Sequence, residues 1–203
     1  MAENLWDERY AGESFFYGTE PNDFLKERAG AIPAGGRVLC LAEGEGRNAV
    51  YLAQRGYRPT AVDGSARGLA KARALAAQRG VAVETVHADL QQYQPGAAAW
   101  EGVVSIWCHL PPALRQVLHP RVLEALAPGG VLVLEHYHPR QLGYGTGGPK
   151  DPAMLLTLEE LRRDFAPLEE LHAFEGERQV KEGAGHDGPS FVTQFVARKR
   201  PAR

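Results

Sequence analysis

Residues 39–53 read LCLAEGEGRNAVYLA, an apolar run that breaks into glycines and resumes with helical spacing. Gly44-Glu45-Gly46-Arg47-Asn48-Ala49 fits the G-x-G-x-x-[GA] pattern of a nucleotide-binding turn. Glycines there let backbone pass close to a ligand, and the helix that follows offers unbonded N–H groups to an anion. Two carboxylates have complementary chemistry: Asp63, closing the run RPTAVD, and Asp89, in HADL. At strand ends they can accept hydrogen bonds from sugar hydroxyls or an adenine amino group. His109, His136 and His138 follow β-rich runs and His186 sits among glycines, positions from which an imidazole can serve as a base.

Such residues meet only if strand ends converge. Short β-rich runs alternate with longer helical patterns, the signature of βαβ units around a parallel sheet. RVLCLA (37–42) predicts a first buried strand, and residues 46–56 a helix stopped by Gly56. RPTAVDG is a second strand, followed by an Ala-rich helix with Ser65 as N-cap and Gly80 as C-cap. VAVETVHADL and WEGVVSIWCHL give strands three and four; Pro111 and Pro112 open the next helix, and GGVLVLEHYH is strand five. HPRQLGYGTGGPKDP (138–152) is too long for a mere connection. A helix, TLEELRRDFA, and two strands around EGAGHDG complete the chain. The expectation is one α/β domain over residues 1–203, with a mainly parallel sheet, a C-terminal antiparallel hairpin and helices on both faces. Its parts are an N-terminal helix and lid (1–30), a cofactor-binding core (31–136), a mobile loop (137–153), and a helix with the hairpin (154–203).

With 44% hydrophobic and 24% charged residues, the 203-residue chain has an ordinary globular composition. A net charge of -2 gives no electrostatic case for nucleic acid or an anionic membrane, and the basic ending ARKRPAR reads as a solvated tail. No apolar stretch approaches a membrane span, and MAENLWDE is not a leader, so a cytoplasmic protein is expected. Cys40 and Cys108 lie inside apolar runs and read as buried free thiols.

The turn and Asp63 suit either a nicotinamide dinucleotide or S-adenosylmethionine. Asp89, the segment LAPGGVLVLE and the closing hairpin favour S-adenosylmethionine. A nicotinamide-dependent oxidoreductase and a non-catalytic S-adenosylmethionine-binding module remain as alternatives.

VLCLAEGEGRNAVYLA, AVDGS, ADL, VVSIWCHLPPALR and LAPGGVLVLE resemble successive motifs of the class I S-adenosylmethionine-dependent methyltransferases. WDERYAGESFFYGTEPNDFL, PRQLGYGTGGPKDP and EGAGHDG add a resemblance to the bacterial group related to tellurite-resistance and, more distantly, thiol methyltransferases. The resemblance implies a Rossmann-like fold and assigns cofactor contacts. Glu43, Gly44, Glu45 and Gly46 would wrap the methionine part, with Arg47 and Asn48 at its carboxylate. Asp63, followed by Gly64 and Ser65, would bind the ribose; Asp89 and Leu90 would frame the adenine; Ser105 and Ile106 would lie beside the sulfonium. One departure stands out: the motif's acidic residue and the glycine two places after it are Cys40 and Ala42 here, and Glu43 is the nearest substitute carboxylate.

Methyl transfer is an in-line displacement, so alignment and exclusion of water supply most of the catalysis. A thiolate acceptor needs little more, whereas an alcohol or amine benefits from a base. Catalytic candidates are His109, His186 and Tyr137; Trp6, Tyr10, Tyr17, His138 and Tyr144 are expected to form the substrate side and lid. His136 and His138 have ligand-like spacing but no third partner, so no metal is expected. The expected acceptor is a small molecule, with thiol or chalcogen compounds implied by the resemblance.

Overall fold

Strand β1 (Arg37–Leu41) is RVLCL, buried at every residue but the first. An apolar run without polar alternation is what a strand covered on both faces requires. β2 (Arg58–Asp63) and β4 (Trp100–Ile106) follow the same rule. Successive residues of β1 enter different cores: Leu39 and Leu41 pack with Val103, Leu118 and Leu132, while Val38 and Cys40 pack with Leu52, Ala61 and Val104.

The computed structural model describes residues 5–201. Seven strands form one sheet in the order β3-β2-β1-β4-β5-β7-β6. The pairs among β1, β2, β3 (Glu84–His87), β4 and β5 (Leu126–Tyr137) are parallel. β7 (His186–Arg198) runs antiparallel between β5 and β6 (Glu169–Glu182), giving the mainly parallel α/β sheet with a C-terminal hairpin that the sequence predicts. Strand order reverses between β1 and β4, and a crevice opens outside the strand ends at such a switch point.

Local chemistry starts and stops the helices. In α4 (Ala66–Gln78), the Ser65 hydroxyl accepts from the Gly68 N–H. α6 (Leu158–Asp164) opens on a reciprocal capping box between Thr157 and Glu160. α3 (Arg47–Gln54) follows the glycine turn, and α5 (Pro112–Ala125) opens at Pro111 as expected. Before β1, α1 (Leu5–Arg9) and α2 (Asp23–Arg28) frame a strap across the strand ends.

Two elements differ from expectation. β3 is only four residues long and half exposed, because it is an edge strand paired on one side. The stretch expected as a mobile loop contains two 3₁₀ turns, Pro139–Gly143 and Pro152–Met154. Buried Gln141 ties it down, accepting from the Phe191 N–H at 2.8 Å and donating to Thr146 Oγ1 at 3.0 Å. Among the described residues, no helix is long and apolar enough to cross a membrane.

Candidate functional site

A cavity of about 920 Å³ lies outside the strand ends, roofed by Trp6, Arg9, Tyr10, Phe16 and Tyr17 of the strap. Its floor is built by the turns after β1, β2 and β4, and one wall by Gly147, Gly148, Pro149 and Met154.

The glycine turn is shaped by packing. A Cβ on Gly44 would lie 2.6 Å from the Tyr10 hydroxyl, and one on Gly46 would lie 2.4 Å from Ala72 Cβ of α4. The two glycines thus admit the strap and a neighbouring helix; contrary to the cofactor contact expected of them, neither lines the cavity. Asp63 ties the turn to β2, its Oδ2 accepting from the Gly44 N–H at 2.8 Å and its Oδ1 from the Ser65 N–H at 2.7 Å. It is 7% exposed, lines the cavity, and has its pKa raised by burial against those two bonds.

Glu43 and Ala42 also line the cavity, whereas Cys40 is buried in the opposite core. Ala42 has φ +49°, the left-handed region, which costs a side-chain-bearing residue about 1 kcal/mol. Glu43 Oε1 accepts from the Ala49 N–H of α3 at 2.7 Å, yet burial lifts its pKa to about 7. The folded state therefore holds this proton more tightly than an unfolded chain with the ordinary value of 4.5. Stability associated with it is greatest below about pH 4.5 and is lost as pH rises to about 7. Glu43→Gln should accordingly raise stability at pH 8 by about 1–3 kcal/mol, with the gain vanishing near pH 4. Urea unfolding at the two pH values checks this, and an equal effect at both would sink it.

Arg47, Asn48, Gly64, Asp89, Leu90 and Ile106 line the cavity as expected. Three other expected cofactor contacts point elsewhere. Glu45 Oε2 accepts from the Phe16 and Tyr17 N–H groups at 2.8 and 3.4 Å, and its Oε1 from Lys71 Nζ at 2.8 Å. Ser65, besides capping α4, donates to Asp7 Oδ1. Both residues hold the strap. Ser105 faces a small void beside Leu118 and His119 on the other side of β4, since adjacent strand residues alternate and Ile106 takes the cavity side.

His109 lines the cavity, but its Nε2 already accepts from the Tyr137 N–H at 3.2 Å. Burial and neighbouring His186 lower its pKa to about 3. The nitrogen a base would use is thus engaged in holding the end of β5. Tyr137 is wholly buried behind the wall and does not line the cavity; its ring stacks on Trp107 at 4.4 Å. His186 is the best placed of the three catalytic candidates. Only 5% exposed despite its glycine-rich setting, it lines the cavity beside Tyr17 (4.8 Å) and Trp107 (5.1 Å), and burial lowers its pKa.

Trp6, Tyr10 and Tyr17 line the roof, but His138 and Tyr144 do not reach the cavity. His138 Nδ1 accepts from the Arg140 N–H at 3.0 Å, capping a turn, and the Tyr144 hydroxyl donates to Glu177 of the hairpin. Cys40 and Cys108 are free and buried; Cys108 reaches the cavity, but burial pushes its thiol up to about 12. Among the described residues, no group of three His, Cys, Asp or Glu side chains is placed to hold a metal ion.

Sequence reasoning missed a buried polar network behind the cavity. Glu135, 0% exposed near the C-terminal end of β5, accepts from Asn22 Nδ2 (2.6 Å), Arg178 (2.8 Å) and Gln194 (2.7 Å). Glu182 accepts from Asn22 Nδ2 (2.7 Å), Trp107 Nε1 (2.6 Å) and Arg47. Burial pushes the Glu182 carboxyl up, but His186, Arg47 and Trp107 together hold it well below the usual carboxylate range. Two buried carboxylates are thus matched by two guanidinium groups, buried Arg47 and half-buried Arg178, the condition under which such charges are tolerated. Trp107 itself has φ +56°, a left-handed backbone that turns its ring to the cavity edge.

No curated protein matches the chain in sequence. Several solved structures share its fold at low identity. One, reported under the conversion of a disulfide bond into a thioacetal group during echinomycin biosynthesis, has a TM-score of 0.77 and 19% identity over 97% of this chain and 91% of that one. The N-methyltransferase NodS from Bradyrhizobium japonicum WM9 in complex with S-adenosyl-l-homocysteine gives 0.71 and 16%, covering 96% of each chain. TehB from Haemophilus influenzae gives 0.68 and 18%, over 98% of this chain and 67% of that one. Residues 38–130, which hold the glycine turn, Asp63 and Asp89, match the family described as Methyltransferase domain. Residues 38–130 thus resemble a methyltransferase domain, and the chain as a whole shares its fold with solved methyltransferases, one of them holding S-adenosyl-l-homocysteine.

Proposed function

We propose that the cavity aligns S-adenosylmethionine with a small-molecule acceptor, of the thiol or chalcogen class, for methyl transfer in the cytoplasm. The observation that carries the reading is how the cavity divides. Its carboxylates, Glu43, Asp63 and Asp89, lie at or just after the ends of β1, β2 and β3, while beyond β4 the lining is aromatic and aliphatic with the imidazoles of His109 and His186. The cofactor's ribose hydroxyls, ammonium and adenine amino group are donors, so the acidic side fits it. When bound, it supplies an electrophilic methyl on a sulfonium.

Asp63 would accept from the ribose and Asp89 from the adenine edge, with Leu90 against the ring. Glu43, once ionised by a nearby ammonium, would hold the methionine end with Asn48. Arg47 is held by Glu182 and would act on the methionine carboxylate through the charge it presents at the cavity wall. Trp107 and the strap aromatics exclude water, and His186 is the group available to take a proton from an acceptor. The likeness to the protein of thioacetal formation and to TehB supports a sulfur or chalcogen acceptor.

Calorimetric titration with S-adenosylmethionine, S-adenosylhomocysteine and NADH tests the cofactor side. Micromolar binding of the two sulfur compounds and none of NADH is expected, followed by S-adenosylhomocysteine release when a thiol is added. Binding of NADH alone would overturn the reading.

A further inference from the structure

The side of the cavity beyond β4 has its own chemistry. No carboxylate among the described residues lines it; Trp107, Leu110, Leu114, Pro149 and Met154 do. At its edge stands Arg9, whose guanidinium lies 4.8 Å from the Trp6 ring and 5.3 Å from the Phe16 ring. Arg9 also donates to the Tyr17 hydroxyl at 3.1 Å, and Tyr17 in turn lies against His186. Arg47 is paired with Glu182 and stands on the cofactor side, but Arg9 has no carboxylate within ion-pair distance among the described residues. It is oriented by aromatic faces and left with unmatched charge beside the cavity.

Size adds a second constraint. S-adenosylmethionine is drug-sized and fills at most roughly half of so large a cavity. Apart from His109 and His186, the remaining space is walled by apolar side chains whose burial is favourable only against apolar surface. An inorganic oxyanion would leave that wall in water. A cationic acceptor would meet Arg9 and the cofactor's own positive charge.

We infer that the methyl acceptor is an organic anion with an apolar, ring-bearing body, and that Arg9 is a residue that selects for its negative charge. This rests on the proposal that the acidic side of the same cavity holds S-adenosylmethionine.

The test titrates protein saturated with S-adenosylhomocysteine against three ligands of one shape: naphthoate, naphthylmethanol and naphthylmethylammonium. Naphthoate should bind best and the ammonium compound worst. Arg9→Gln should weaken naphthoate about tenfold, as loss of a charge-assisted pair does, and leave naphthylmethanol within about twofold. Arg9 is exposed, and retained S-adenosylhomocysteine affinity shows that the variant is folded. Equal binding of all three ligands, or an unchanged naphthoate affinity in Arg9→Gln, overturns the inference while S-adenosylhomocysteine binding upholds the methyltransferase reading. Failure of S-adenosylhomocysteine to bind overturns both.

Discussion

Glu182→Ala should destabilise the fold by about 3–5 kcal/mol, because it leaves the buried Arg47 guanidinium without its carboxylate and takes an acceptor from Asn22 and Trp107 at once. Asn22, Trp107 and Arg47 would lose a partner, and Arg178 one of its two carboxylates. For a domain of this size the melting temperature should fall by roughly 10 °C. Glu182→Gln keeps the shape and one acceptor and should fall between. The pH dependence has a definite sign. A carboxyl held below its ordinary value of 4.5 stabilises the fold above that pH, and the benefit is lost as pH falls toward the folded value. The gap between wild type and Glu182→Ala should therefore be full at pH 7 and shrink below about pH 4.5. Thermal melts at pH 7 and pH 3.5 check both points; wild-type stability at pH 7 would mean that the network relaxes without cost.

The second large effect is expected at Asp63. Its replacement by alanine should weaken S-adenosylhomocysteine binding by about 1.5–3 kcal/mol, or roughly 10- to 100-fold. The ribose would lose a charge-assisted acceptor, and the Gly44 and Ser65 N–H groups would lose the oxygens that hold the turn open. Asp63→Asn retains one carbonyl and should recover part of the loss. Calorimetry on folded variants, checked by circular dichroism, measures it. Affinity unchanged in Asp63→Ala would remove the ribose from this side of the cavity.

What could be read in the sequence was local. β1, β2 and β4 are visible as unbroken apolar runs because both faces are covered, and the glycine turn and Asp63 follow directly from them. Adjacent residues misled where direction mattered: Ser105 and Ile106 are neighbours, yet a strand sends them to opposite faces. Glu45 and Ser65 were illegible as strap anchors because their partners, Tyr17 and Asp7, lie 28 and 58 positions away. The Asn22–Glu182 contact spans 160 positions, and nothing in either segment names the other. A signal for this network did exist in GGVLVLEHYH, where Glu135 interrupts the apolar run of a buried strand near its end. A charge at such a position requires partners, though not a particular one: Arg178 is supplied by the fold.

That carboxylate also ties the two ends of the sheet together. Asn22, Arg178 and Gln194 all converge on Glu135, so the last two strands supply the cation and one of the amides that a parallel core lacks while it stands alone. Without the hairpin of β6 and β7, Glu135 would lack its counterion, so the rest of the sheet and the hairpin depend on each other. The same hairpin carries His186 to the cavity. A substitution that loosens this hairpin should therefore disturb the buried charge and the cavity together.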